Sequence, residues 1–218
     1  MVEPGRTYLP AAGHDWSLPL YDPLVKLLGG DAARAVLLDQ AAVRPSHRVL
    51  DIGCGTGTLA VLVKRQHPDV EVVGLDPDSR ALERARRKAQ RAAVSIQLDR
   101  GFSDELPYAD SSFDRVFSSF MLHHLAATEK ETTLREVCRV LKPGARFHLL
   151  DFATPDSNSS GRISRWLHSG HRLKDNSDEQ ILGLMRQAGL SDPKRVAHQA
   201  LLIGHIAYYQ ASVPTSKP

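Results

Sequence analysis

The sequence predicts an α/β fold, a doubly wound and mostly parallel sheet, and three observations carry that prediction. After Arg44-Pro45, short apolar runs alternate with amphipathic helical stretches, which puts helices on both faces of a parallel sheet. The first apolar run opens directly into Gly53, Gly55 and Gly57, at the strand-to-helix turn where such sheets meet their ligands. The 218 residues, 42% hydrophobic and 24% charged, suit one domain with a substantial core.

Residues 1–44 precede the first strand and are expected to form a helical cap belonging to the same domain. Asp31 is placed as the cap of a helix bearing Ala33, Val36, Leu37 and Ala41. Segments appended to an open sheet often lie over its carboxyl edge. "HRVLDIG" reads as the first strand, followed by a helix to about His67 that Pro68 stops. "VEVVGLD" is the second strand and Ser79–Ala93 the second helix. There Leu82, Ala85, Ala89 and Ala92 make an apolar stripe, while Arg80, Arg84, Arg87, Lys88 and Arg91 fall largely away from it as a solvated face.

"VSIQLD", "FDRVFSS" and "ARFHLLDF" read as strands three to five. Before the fifth, Thr128 with Glu131 forms a capping box, and Leu134, Val137, Cys138 and Leu141 repeat at helical spacing until Pro143-Gly144. Ser177 with Gln180 opens another helix, carrying Ile181, Leu184, Met185 and Ala188 and closed by Gly189. Two further strands are expected near 194–199 and 204–212, and 213–218 is expected to be a loose tail.

Several functional classes are excluded at this stage. The opening residues lack a charged segment followed by an apolar one, and no apolar run approaches the ~20 residues a membrane span needs. The expectation is a soluble, cytoplasmic protein. Two cysteines, Cys54 and Cys138, are too few for a disulfide framework and too far apart for a zinc site. His168 and His171 form H-x-x-H without a third ligand nearby, and Ser169-Gly170 between them argues for a loop, so no metal is expected. The net charge of +3 and the lack of aromatic residues among the arginines argue against a nucleic-acid partner.

Glycines at this turn let a backbone approach a cofactor without Cβ interference, and the following helix points its first amides at negative charge. A dinucleotide fingerprint, G-x-G-x-x-G, would need glycine at position 58, which is Thr58. Asp76, nineteen residues after Gly57 at the end of the second strand, can accept both hydroxyls of a ribose. Its alternative role as a helix cap is already served by Pro77-Asp78-Ser79.

Four blocks, "VLDIGCGTG", "VVGLDPD", "LPYADSSFDRVFSSFMLHHL" and "LREVCRVLKPGARFHLLDF", resemble class I S-adenosylmethionine-dependent methyltransferases, with the ubiquinone and menaquinone methyltransferases the most similar group. The resemblance covers about residues 45–152. It implies a Rossmann-like, seven-stranded sheet with the last strand antiparallel, a methyltransferase domain over 45–212, S-adenosylmethionine as methyl donor and S-adenosylhomocysteine as product. By the same resemblance Asp51, Gly53, Gly55 and Gly57 line the methionine and ribose portions of the donor, and Asp76 holds the ribose. Ser118 and Ser119 pass beneath the methionine. The family usually reads G-D-A after the third strand, its acid accepting the adenine amino group. Gly101-Phe102-Ser103 stands there instead, leaving Asp104, the Ser103 hydroxyl or backbone groups to accept and Phe102 to pack on the ring.

Methyl transfer from a sulfonium is an in-line displacement, so alignment carries much of the catalysis, and a base is needed only where the acceptor must lose a proton. His123 and His124, after the fourth strand, are the candidate bases, with side chains expected to diverge. Asp151, at the end of the fifth strand, is a candidate to orient an acceptor. "GHDWSLPLYD" supplies His14, Asp15, Trp16 and Tyr21 as candidate walls of an acceptor pocket. The short segment from Phe152 to Asn176 implies a compact cap and a small acceptor. "SSFM" stands where nucleic-acid amino-methylating relatives carry N-P-P-Y or D-P-P-Y, which favours a small molecule over DNA or RNA. A nicotinamide-dependent oxidoreductase and a non-catalytic RNA- or protein-binding module are the alternatives.

Overall fold

The computed structural model describes residues 29–153, 177–201 and 204–215. Its elements are α1 (Gly30–Asp39), β1 (Arg48–Ile52), α2 (Thr58–Gln66), β2 (Glu71–Asp76), α3 (Ser79–Arg91), β3 (Gln97–Arg100), β4 (Phe113–Ser119), a single 3-10 turn (Leu122–His124), α4 (Ala127–Val140), β5 (Leu141–Phe152), α5 (Asp178–Gln187), β6 (Ser191–Leu201) and β7 (Gly204–Ser212). They form one seven-stranded sheet in the order β3-β2-β1-β4-β5-β7-β6. β1 to β5 pair in parallel, and β7 runs antiparallel between β5 and β6. The strand order reverses between β1 and β4, so their carboxyl ends open the crevice where ligands of doubly wound sheets bind.

Burial of both faces explains the composition of the strands. In β1, Val49, Leu50 and Ile52 are wholly buried, as expected of a parallel strand covered on both sides. One core packs Leu134 and Val137 of α4 and Ile181 and Met185 of α5 against the sheet. The opposite core sets Ala33, Leu37 and Leu38 of α1 and Leu59 and Val63 of α2 against Phe117, Leu150 and Tyr208. No helix among the described residues is long and apolar enough to cross a membrane.

Most element limits agree with the sequence reading, and the exceptions have local causes. Gly29, in a left-handed conformation (φ 91°), rather than Asp31, stands at the cap of α1; Asp31 lies in the first turn, 3.6 Å from Arg34. Val36 is exposed, and Leu38 takes its place on the buried stripe. α4 starts before Thr128 because the Glu129 carboxylate accepts the Ala126 N–H at 2.8 Å; Thr128 lies inside the first turn. Leu141 begins β5 rather than ending the helix. Val94 to Ile96 do not pair as strand, since Ala93 (φ 52°) and Val94 turn their amides back to Gln90 and Ala89 to close α3. The Ser177–Gln180 capping box and Gly189 delimit α5 as expected.

His148 sits on β5 in the second core, wholly buried and stacked 5.5 Å from Phe117, and neither ring nitrogen has a hydrogen-bond partner among the described residues. Burial, then the Arg115 and Arg146 charges, lower its pKa to about 3 from 6.5. On acidification the unfolded imidazole therefore takes up a proton first, and the native state loses stability as pH falls from 6.5 toward about 3. His148→Leu is expected to raise stability by about 1–2 kcal/mol at pH 7, where two unpaired nitrogens disappear. Its advantage should widen at pH 5, read from urea midpoints at both values. An advantage independent of pH would refute this account.

Candidate functional site

The three glycines all adopt left-handed conformations, at φ 65°, 53° and 75°, but for different reasons. A Cβ at Gly53 would lie 2.2 Å from Met121 Cγ, and one at Gly57 would lie 2.8 Å from Ala85 Cβ on α3. Both positions are closed by the protein itself. A Cβ at Gly55 would meet nothing within 4 Å, so its bare backbone faces open space. α2 starts at Thr58 with no side chain capping its first amides.

Two carboxylates lie near the carboxyl ends of the adjacent strands, Asp51 next to last in β1 and Asp76 last in β2. Asp76 Oδ2 accepts the Gly55 N–H at 2.8 Å and Oδ1 accepts the Asp78 N–H at 2.9 Å. Asp78, not Asp76, caps α3 by accepting the Arg80 N–H at 2.8 Å. Burial raises the Asp76 pKa to about 6, against the pull of those two backbone bonds. Asp51 is 1% exposed, and neither oxygen finds a donor in hydrogen-bonding geometry among the described residues. Burial lifts its pKa to about 7; the Arg34 charge opposes the shift, the Asp76 charge adds to it, and the Ala60 amide favours the ionised form without completing a bond.

Arg34, Lys88 and Met121 join the site without having been picked out from the sequence. Arg34, 7% exposed, directs Nε to Ser119 Oγ at 3.4 Å and lies over the Phe120 ring at 5.3 Å. Its position was a legible signal, since Arg34, Leu37, Leu38 and Ala41 follow the i, i+3, i+4, i+7 pattern of a buried stripe. Lys88 does not belong to the solvated face assigned to it: its Nζ donates to Thr56 Oγ1 at 3.0 Å and Thr58 Oγ1 at 2.6 Å, tying α3 to the glycine turn. Ser118 is wholly buried, and its Oγ has no partner among the described residues. The Ser103 hydroxyl is engaged with Thr133 Oγ1 at 2.9 Å, which ties it to α4. Phe102 is half-buried beyond β3.

At the ends of β4 and β5 the structure joins residues that the sequence keeps apart. Asp151 Oδ1 lies 2.5 Å from His123 Nδ1, and Oδ2 accepts the His123 N–H at 2.9 Å. Oδ1 also accepts the Phe152 N–H at 2.8 Å. Asp151 is thus the acceptor for the turn, the His123 proton belongs on Nδ1, and Nε2 remains as an acceptor. The Phe152 ring stands edge-on to His123 at 5.0 Å. The expected divergence of the two imidazoles is not observed: the tight 3-10 turn folds His124 against His123, with ring centroids 4.0 Å apart. His14, Asp15, Trp16 and Tyr21, and likewise His168 and His171, lie outside the described residues.

A methyltransferase-domain model matches residues 49–144. Demethylmenaquinone methyltransferase of Deinococcus radiodurans is 38% identical over 150 residues, 67% of this chain and 61% of that protein. Its namesake from Thermus thermophilus is 37% identical over 150 residues, 67% of each. The alignments thus span between 61% and 67% of these two relatives. Among solved structures, YcgJ from Bacillus subtilis superposes with a TM-score of 0.71 at 20% identity, covering 85% of this chain and 99% of that one. Phosphoethanolamine N-methyltransferase 2 of Haemonchus contortus, in complex with S-adenosyl-L-methionine, gives 0.77 at 16% identity over 98% of this chain and 61% of that one. At such identities the two structures speak to the fold.

Proposed function

The chain belongs to the class I S-adenosylmethionine-dependent methyltransferases, of the menaquinone methyltransferase-like type, and from that premise we propose that it methylates a small organic acceptor. One observation carries the reading. Beneath the open glycine turn lies a buried carboxylate, Asp51, with no hydrogen-bond donor among the described residues, in the field of a buried cation, Arg34. That pair complements a zwitterionic amino acid, Asp51 for the ammonium and Arg34 for the carboxylate.

The remaining residues take roles by their position. Asp76 is assigned to the ribose hydroxyls and Gly55 to the close backbone approach, while Gly53 and Gly57 are assigned to the lining of the turn, which they let pack against Met121 and Ala85. Ser118 and Ser119 are assigned to the methionine portion, and Phe102 to packing on the adenine. With the Ser103 hydroxyl already engaged, adenine recognition is assigned to backbone groups near Phe102 and Ser103 and to Asp104. S-adenosylmethionine, when bound, supplies an electrophilic methyl group. The chain's own contribution is to hold the acceptor in line and to take its proton. His123 Nε2 is the assigned base, with Asp151 fixing the ring through Nδ1, and His124 packs beside it.

An acceptor with a hydroxyl or acidic carbon proton suits this pair. Two relatives are named for demethylmenaquinone, which supports a ring-bearing small molecule. His14, Asp15, Trp16 and Tyr21 remain the proposed acceptor walls, 1–44 the proposed cap, 45–212 the proposed extent of the methyltransferase domain and 213–218 the proposed tail. The proposal keeps the cytoplasmic location expected from the sequence. The nicotinamide alternative is not favoured: Thr58 replaces the third glycine, and its hydroxyl is bound to Lys88.

The test incubates the protein with methyl-labelled S-adenosylmethionine and fractionated cell extract, with S-adenosylhomocysteine binding measured by calorimetry alongside. Label in a low-mass fraction is the expected outcome. Label in RNA or protein overturns the small acceptor, and absence of cofactor binding overturns the whole reading.

A further inference from the structure

At the opposite, amino edge of the sheet, a groove of about 340 Å³ is lined by Arg44, His47, Asp114, Arg115, Lys142 and Arg146. β4 is seven residues long, which puts this groove roughly 20 Å from the glycine turn. The β4–β5 ladder opens it. Phe113 pairs with Leu141 but Arg115 with Arg146, so Lys142 to Ala145 bulge out of the register opposite Asp114.

The electrostatics of the groove are unbalanced. Among the described residues four fixed cations face one carboxylate, and Asp114 Oδ2 already accepts the Lys142 Nζ and the Arg48 N–H, each at 2.8 Å. Arg115 is buried, and its guanidinium donates to the carbonyls of Ala41, Ala42 and Asp114, none of which carries a charge. Arg146 is its direct register partner, and like charges side by side on neighbouring strands repel. Neither Arg44 nor Arg146 has an acidic partner among the described residues. His47 Nδ1 accepts the Arg44 N–H at 3.2 Å, which leaves the ring proton on Nε2 as a further donor. Burial, then the Arg115, Arg44 and Lys142 charges, lower the His47 pKa against the opposing pull of Asp114.

A fold gains nothing from gathering uncompensated cations at a bulge, so the conflict points to a missing counter-ion. We propose that this groove is a second ligand site, independent of methyl transfer, that binds a compact phosphate-class anion between Arg44, Lys142 and Arg146. Arg115 supplies the fixed positive floor, and the size of the groove suits one or two phosphate groups, free or carried on a small molecule.

The experiment titrates inorganic pyrophosphate into the full chain at constant ionic strength, with S-adenosylhomocysteine saturating so that the glycine turn does not compete. Backbone amide NMR is expected to shift at residues 42–44, 46–47, 114–115, 142 and 144–146. Arg44→Gln and Arg146→Gln should each weaken binding by about tenfold, the loss of one charge-assisted contact, and leave S-adenosylhomocysteine affinity unchanged. Arg44 is exposed, so its replacement tests the site without touching the core. Shifts reproduced by chloride at matched ionic strength, or binding unaltered in both variants, overturn the proposal. An RNA oligonucleotide bound there and not displaced by pyrophosphate also overturns it, assigning the surface to nucleic acid.

Discussion

Asp76→Ala is expected to weaken S-adenosylhomocysteine binding by about 100-fold while the protein stays folded, the loss of two charge-assisted hydrogen bonds to ribose. The side chain also braces the site, because the same carboxylate holds the Gly55 amide on one oxygen and the Asp78 amide on the other. Asp76→Asn keeps one carbonyl acceptor and should fall between the two. Stability is expected to move the other way. The folded pKa is about 6 against the ordinary 3.8, so the native state holds its proton more tightly and loses stability as pH rises from 3.8 through about 6. That penalty is absent in Asp76→Asn. Between pH 4 and pH 8 the wild type should therefore lose about 2–3 kcal/mol that the variant keeps, read from urea midpoints. A residue that costs the fold in this way fits the binding role proposed for it. Unchanged affinity in the folded variant would refute the ribose assignment.

What could be read from the sequence followed the range of each physical signal. The positions of the glycine turn and Asp51 are legible because β1 and its turn place them locally, that of Asp76 because it closes the next strand, and the β4 limits, Phe113–Ser119, match the expected strand. The α4 cap was missed because Glu129 reaches an alanine amide, a bond that leaves no Ser or Thr to mark it. Lys88 looked like one more solvated cation on α3, since nothing local shows that two threonines lie within its reach. The groove was wholly illegible: Arg44, Arg115 and Arg146 become neighbours only through strand register. The His123–Asp151 pair is half legible, for each residue stands near a strand end in the sequence but their contact depends on β4 and β5 being adjacent.

That contact sets the second large effect. His123→Gln is expected to lower kcat by about 10²–10⁴, the usual worth of a positioned base, with S-adenosylhomocysteine affinity unchanged. Asp151→Asn tests the same proton from the other side. An amide facing Nδ1 can present its N–H there, which favours the tautomer with the proton on Nε2 and removes the base while the ring remains. Its kcat should fall with that of His123→Gln, and the double variant should fall little further, because the two residues act as one unit. His124→Gln keeps the pair and should cost far less. A rise in KM with kcat intact in both variants would instead make the pair an acceptor-binding device. Additive losses in the double variant would mean that the 2.5 Å contact positions the turn and carries no proton.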